Sequence, residues 1–253
     1  VMLDAKTTPL VLNRTKYSMA LSYSVLGKDT ETTQLLNEVI SWGGDENLVR
    51  SSRLKLIAMA EKKDPAEAVK TYESMLPGMT TPEDQQWIWG RLAGAYFKLG
   101  QYDKSLDASQ RLLSMGGASE ESTVNALFVQ ANSYFKLGDY NNALTNYRKL
   151  LDQYPKAPLV KNSLFQLGVT YNTLSAQRLD VLPQVVSTFR EYHSKYPDDE
   201  NAVHAYYFAG WALYRIGNWK EVIKEFTELA DKYPTSNYAP EVLYRTGEAI
   251  FNQ

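Results

Sequence analysis

Residues 133–155 read SYFKLGDYNNALTNYRKLLDQYP, with related phrases on either side: AYFKLGQYDKSLDASQRLLSMGG at 95–117 and ALYRIGNWKEVIKEFTELADKYP at 212–234. The central stretch predicts two helices and a break. Leading into it, Leu127, Gln130, Ala131 and Tyr134 recur at spacings of three, one and three, the stripe of one packed helix face. KLGDY interrupts the pattern. Gly138 offers a left-handed residue at little cost, and Asp139 can cap the helix that follows. Ala143, Tyr147 and Leu150 then define a second stripe. Tyr154-Pro155 stops it, because proline disfavours helix at the residue before it. Ala131 and Ala143 let the two helices approach closely, while Tyr134 and Tyr147 fill the space towards neighbouring hairpins. A lone hairpin leaves one face bare, so such units must stack.

The spacing is regular. Gly100 and Gly138 lie 38 residues apart, and Tyr-Pro pairs recur at 154–155, 196–197 and 233–234. The longer of those two gaps contains NTLSAQRLDVLP, which lengthens one internal turn by about five residues. The chain therefore reads as an all-α array, a single solenoid of antiparallel hairpins at 10–45, 50–78, 84–118, 122–156, 160–198 and 202–235, with a half unit at 239–253.

This pattern resembles the tetratricopeptide repeat, which runs W-x2-L-G-x2-Y, then A-x3-F, then P. Trp89, Leu92, Ala93 and Tyr96 fit the first half, with Ser105 and Ser109 in the second-helix slots. Leu164, Leu167, Gly168 and Tyr171 fit again, followed by Val185, Phe189 and Pro197. So do Tyr206, Ala209, Gly210 and Leu213, followed by Val222, Phe226 and Pro234. Towards the N-terminus the slots fall on Met19, Ala20, Tyr23 and Gly27 with Thr32 and Leu36, then on Leu54, Ile57 and Ala58 with Ala68 and Tyr72. Leu243, Gly247 and Ile250 open the half unit. The resemblance implies a right-handed superhelix whose first helices line a concave groove. The period and the Tyr-Pro endings look most like bacterial cell-envelope members, of the outer-membrane assembly lipoprotein and Tol–Pal coordinator type, which implies a periplasmic or envelope location.

Composition narrows the function classes. Lys and Arg number 27 against 29 Asp and Glu, a formal charge of −2, which argues against a nucleic-acid-tracking surface. There is no cysteine, and no apolar run approaches the about 18–20 residues that span a bilayer. The opening Val1-Met2-Leu3-Asp4 looks like the middle of a longer chain. His193 and His204 stand outside any catalytic motif, and His193, near a helix end, reads as solvated. GKD at 27–29 lacks P-loop spacing, GG at 43–44 and 116–117 ends helices, and EKKD at 61–64 and DDE at 198–200 read as solvated turns. No catalytic residue, cofactor or metal is expected.

What remains is binding. One residue after each leading slot, and then a turn further on, comes the face that the resemblance turns towards the groove. In the first two units this gives Tyr17, Leu21, Lys55, Met59 and Lys62. Next come Trp87, Gly90, Gly94 and Phe97, then Asn125, Phe128, Asn132 and Phe135. The fifth unit offers Asn162, Phe165, Val169 and Asn172, and the sixth His204, Tyr207, Trp211 and Tyr214. The last helix adds Tyr244, Glu248 and Phe251. Rings and amides of this kind hold an extended peptide well. The same aromatics can instead bridge adjacent first helices. Gly90 and Gly94 either admit close helix packing or leave a hollow between Trp87, Phe97 and Phe128. Phe128, Phe165 and Tyr207 stand where a carboxylate-gripping array would want basic residues, despite Asn132 and Lys136 nearby. The expectation is a non-catalytic scaffold that binds a protein or extended peptide. The alternatives are an architectural spacer in a larger envelope complex, with contacts through second-helix residues such as Asn146 and Lys224, or the substrate-recruiting part of an enzyme.

Overall fold

The computed structural model describes residues 9–253, and every regular element among them is helical. They divide into two compact units, one ending at Gly100 and the other starting at Gln101. The boundary lies in the KLGQY turn, inside the stretch read as the third hairpin.

The N-terminal unit holds α1 (Pro9–Val25), α2 (Asp29–Trp42), α3 (Glu46–Lys63), α4 (Pro65–Met75) and α5 (Pro82–Lys98), each packed on the helix before it. Local chemistry sets the ends. Asp45, Asp64 and Thr81 accept the backbone N–H three residues on, and Pro65 and Pro82 occupy first-turn positions where no N–H is needed. The core contains Leu36, Val39, Val49, Leu56, Ile57, Tyr72, Ile88 and Leu92.

The register of α3 differs from the sequence reading. Leu54, assigned to the packed stripe, is 45% exposed and Ala58 is exposed, whereas Val49, Ser52, Leu56 and Ala60 are buried. In LKLIAMA apolar residues run almost all round the helix, so several stripes fit the same letters.

The C-terminal unit holds α6 (Tyr102–Ser114), α7 (Glu120–Lys136), α8 (Tyr140–Gln153), α9 (Val160–Leu174), α10 (Leu182–Lys195), α11 (Ala202–Ile216), α12 (Trp219–Lys232) and α13 (Ala239–Phe251). Neighbours in sequence are neighbours in space, and α9 also meets α11. Gly138 has φ +81° and Asp139 caps α8 by accepting from Asn142 N at 3.1 Å. α8, α10 and α12 each stop one residue before Tyr154, Tyr196 and Tyr233, the residues that precede proline. The lengthened turn between α9 and α10 contains a short 3-10 helix, Leu179–Val181. It is clasped from α11: Arg215 donates to the Ser175 hydroxyl at 2.7 Å and to the Ser175 carbonyl at 2.8 Å.

The repeat slots of this unit are filled as their spacing predicts. Leu164, Leu167, Gly168 and Tyr171 are buried against Val185 and Phe189; Tyr206, Ala209, Gly210 and Leu213 are buried against Val222 and Phe226. A methyl placed on Gly168 would stand 2.7 Å from the Phe189 ring, and one on Gly210 would come closer still to the Phe226 ring. Each glycine therefore serves a close helix approach. In α13, by contrast, Leu243 and Ile250 stand exposed at 62% and 60%; the helix buries Ala239, Val242 and Ala249 instead.

Two polar groups read as solvated are instead held inside the packing, His193 buried and Asp199 half-buried. His193 lies with its ring 3.6 Å from that of Tyr206, nearly parallel, and its Nε2 2.8 Å from a Glu225 carboxylate oxygen. Its position four residues after Phe189 carries it along the packed stripe of α10. Arg190 Nε donates to the other Glu225 oxygen at 2.7 Å, and its Nη2 to Glu221 at 2.9 Å. In DDE, Asp198 and Glu200 are exposed as expected, but Asp199 is tied to three elements. It accepts from Lys161 Nζ on α9 and the Tyr192 hydroxyl on α10, both at 2.6 Å, and from Asn201 N at 2.9 Å.

Burial alone would raise the Asp199 carboxyl pKa. The Lys161 ammonium, the Tyr192 hydroxyl and the Asn201 donors outweigh it and hold the carboxyl well below the usual range. A depressed carboxylate pKa contributes stability above the unfolded value of about 4, and that stability is lost as pH falls through and below it. Asp199→Asn is expected to melt lower than the parent at pH 7, with the difference closing below about pH 4. Thermal melts from pH 7 to pH 3 measure it; a gap that is constant with pH would sink the assignment.

Candidate functional site

α7, α9, α11 and α13 each bury one face against the second helices and leave a second face free of that task. On α11 this free face carries a built arrangement of rings. Tyr207 and Trp211 lie 6.5 Å apart between centroids and within 7° of parallel; Trp211 and Tyr214 lie 5.3 Å apart and within 2°. Tyr238, from the turn before α13, continues the row by stacking on Tyr207 at 4.0 Å and donating to or accepting from His204 Nδ1 at 2.7 Å. Such an arrangement follows from sequence: Tyr207, Trp211 and Tyr214 are four and three residues apart, which aligns them along one helix face.

α13 supplies the charge. The Arg245 guanidinium lies 5.1 Å from the Trp211 ring centre, 5.3 Å from Tyr214 and 5.4 Å from Tyr244. It donates to Glu248 at 2.8 Å, and Tyr214 donates to the same carboxylate at 3.0 Å; these bonds hold the Glu248 carboxyl below its ordinary range, that of Arg245 foremost. Tyr207 donates to Glu241 at 3.1 Å, and burial followed by that bond pushes its hydroxyl up to about 12. All three hydroxyl-bearing rings of the row are thus fixed by partners; Tyr207 and Tyr238 cover one face of each other, and the Arg245 guanidinium lies over Trp211 and Tyr214.

The other expected groove residues divide. Asn125 and Asn162 are exposed, Asn172 is half-buried, and Tyr244 is 63% exposed. Phe128 turns its edge to Tyr147 at 6.2 Å, and Asn132 accepts the Tyr147 hydroxyl at 2.7 Å, so both also serve their own hairpin. Phe135 packs on Tyr140 at 5.6 Å, while Phe165 sits 5.8 Å from Phe189 and 5.1 Å from Tyr192. In the N-terminal unit Trp87, Gly90, Gly94 and Phe97 are half-buried. Trp87 stands edge-on to Tyr72 at 6.4 Å with the Arg91 guanidinium 5.3 Å from its ring. A methyl on Gly94 would meet nothing within 4 Å, so this glycine is not there for close packing. Met59, read as a groove residue, instead lines a cavity between α2, α3 and α4.

The reading from spacing missed Tyr238, Glu241 and Arg245. Tyr238 lies in an interhelix turn, and Arg245 lies one position beyond Tyr244, where nothing in the letters shows that its chain lies across Trp211. Among the described residues no group of three His, Cys, Asp or Glu side chains could hold a metal ion, and no helix is long and apolar enough to cross a membrane.

Two family models, each described as a tetratricopeptide repeat, match the chain at residues 84–156 and 204–236. These stretches are tetratricopeptide repeats. Among solved structures, YrrB, described as a TPR protein with an unusual peptide-binding site, is similar at 15% identity with a TM-score of 0.60, covering 83% of this chain and 97% of that one. PilW, a widely conserved type IV pilus biogenesis factor, is 15% identical with a TM-score of 0.54, covering 92% and 98%. MamA is 14% identical with a TM-score of 0.60, covering 73% and 91%. These likenesses establish the fold. No curated protein matches the sequence.

Proposed function

We propose that the chain is a non-catalytic interaction scaffold that holds an extended segment of another protein along the free faces of its first helices, with α11 at the centre. The observation that carries this reading is the row of parallel rings at Tyr207, Trp211 and Tyr214 along one half-buried face of α11, of which Tyr214 also meets Trp219 of its own hairpin edge-on at 5.3 Å. Rings fixed by hydrogen bonds offer area without losing rotamer freedom on binding. Tetratricopeptide repeats at 84–156 and 204–236 support a protein partner, as does the fold shared with a peptide-binding YrrB.

A peptide selected from a random library against the full chain is expected to bind Trp211→Ala or Phe128→Ala about 2 kcal/mol more weakly, with the helical spectrum retained. Isothermal titration measures the loss; equal affinity in folded variants would refute the groove.

A second reading, assembly into a larger complex, is supported by the exposed apolar residues Leu243, Ile250 and Phe251 on α13; that this complex lies in the cell envelope rests on the resemblance of the Tyr-Pro endings alone. Light-scattering mass that grows with concentration, and shrinks in Leu243→Ser, would favour it over the groove.

A further inference from the structure

We infer that the crevice bounded by α2, α3 and α4 is a separate binding site, and that it takes an acidic peptide segment: two carboxylates four or five residues apart with an apolar side chain between them. The crevice lies wholly within the N-terminal unit. Its main cavity has a volume of about 730 Å³, and an adjoining one of about 400 Å³ shares Thr33, Asn37 and Lys63 with it. A volume of this size falls within the range of ligand pockets.

Its floor is apolar, with Leu56, Met59 and Met75. Its charge is not balanced. Arg53, Lys63 and Lys70 line the main cavity against one acid, Glu67, although the chain as a whole carries −2. Lys70 is held by Glu67 at 2.8 Å, and Lys63 stands 3.5 Å from Asp29, both in exposed pairs of little worth. Arg53 has no hydrogen-bond or ion-pair partner among the described residues. Its guanidinium lies beside Gly78, in the space that a side chain there would occupy. A half-buried guanidinium beside apolar side chains lacks the carboxylate that its forked donors fit.

Length selects a peptide over a small acid. Arg53 and Lys63 are ten residues apart on α3, which at about 1.5 Å per residue sets them about 15 Å apart. An extended chain covers that distance in four to five residues. The segment's carboxylates would meet Arg53 and Lys63, and the apolar side chain between them would lie on Leu56 and Met59.

The probe is the labelled peptide acetyl-Asp-Ser-Leu-Ser-Glu-amide, titrated with the full chain at low salt and followed by fluorescence anisotropy. Saturable binding is expected, at least about tenfold weaker for Arg53→Gln, for Lys63→Gln and for the same peptide with Asn and Gln in place of its acids. Arg53→Gln is expected to melt with the parent, since Arg53 holds no partner; Lys63→Gln tests the site should it not. Trp211→Ala is expected to bind this peptide unchanged, which separates the crevice from the α11 row. Absence of saturable binding, equal binding of the neutral peptide, or displacement by glutarate as effective as by unlabelled peptide would each overturn the proposal.

Discussion

Gly210→Ala is expected to destabilise the protein by about 2–3 kcal/mol, although alanine is the better helix former. The new methyl would be driven into the Phe226 ring, a fully buried side chain between α11 and α12 with nowhere to retreat. Gly94→Ala is the control. There the methyl meets open space, and the substitution should be neutral or stabilise by up to about 1 kcal/mol. Phe226→Leu should be costly alone and less costly beside Gly210→Ala, because the smaller side chain makes room for the methyl. Chemical denaturation of the four variants decides it. Additive losses at Gly210 and Phe226 would mean that the two residues do not share one space.

Arg190→Met is expected to cost about 3–5 kcal/mol. Glu225 is only 4% exposed, and it depends on Arg190 and His193 for its hydrogen bonds. Removing the guanidinium leaves a buried carboxylate with one partner, whereas removing both charges leaves nothing unpaired. The double variant Arg190→Met, Glu225→Met should therefore recover most of the loss. Equal melting of the single and double variants would show that the pair contributes packing alone.

Legibility in the sequence followed the strength of the apolar stripe. On α8, α10 and α12 the apolar slots at Ala143, Tyr147 and Leu150, at Val185 and Phe189, and at Val222 and Phe226 stand on one face with polar residues opposite, so one helical register fits. At α3 nearly every position from Leu54 to Ala60 is apolar, and the choice among faces passes to the partners α2 and α4. His193 and Asp199 failed for another reason. Residue type marks them as solvated, yet their surroundings are decided by Glu225, 32 residues further on, and Lys161, 38 residues earlier. Tyr207, Trp211 and Tyr214 were legible as a row because helical spacing alone aligns them. That Phe128 and Phe165 would lean on rings of their own hairpins was not, since it depends on how far each ring swings between two neighbours.

The guanidinium across Trp211 belongs to a different helix from the tryptophan itself. α13 holds that side chain in place through its packing on α12 and through Tyr238 on Tyr207. One face of the indole is therefore covered from outside its own hairpin, and the seating of α13 on α12 sets how much of Trp211 an incoming chain can touch.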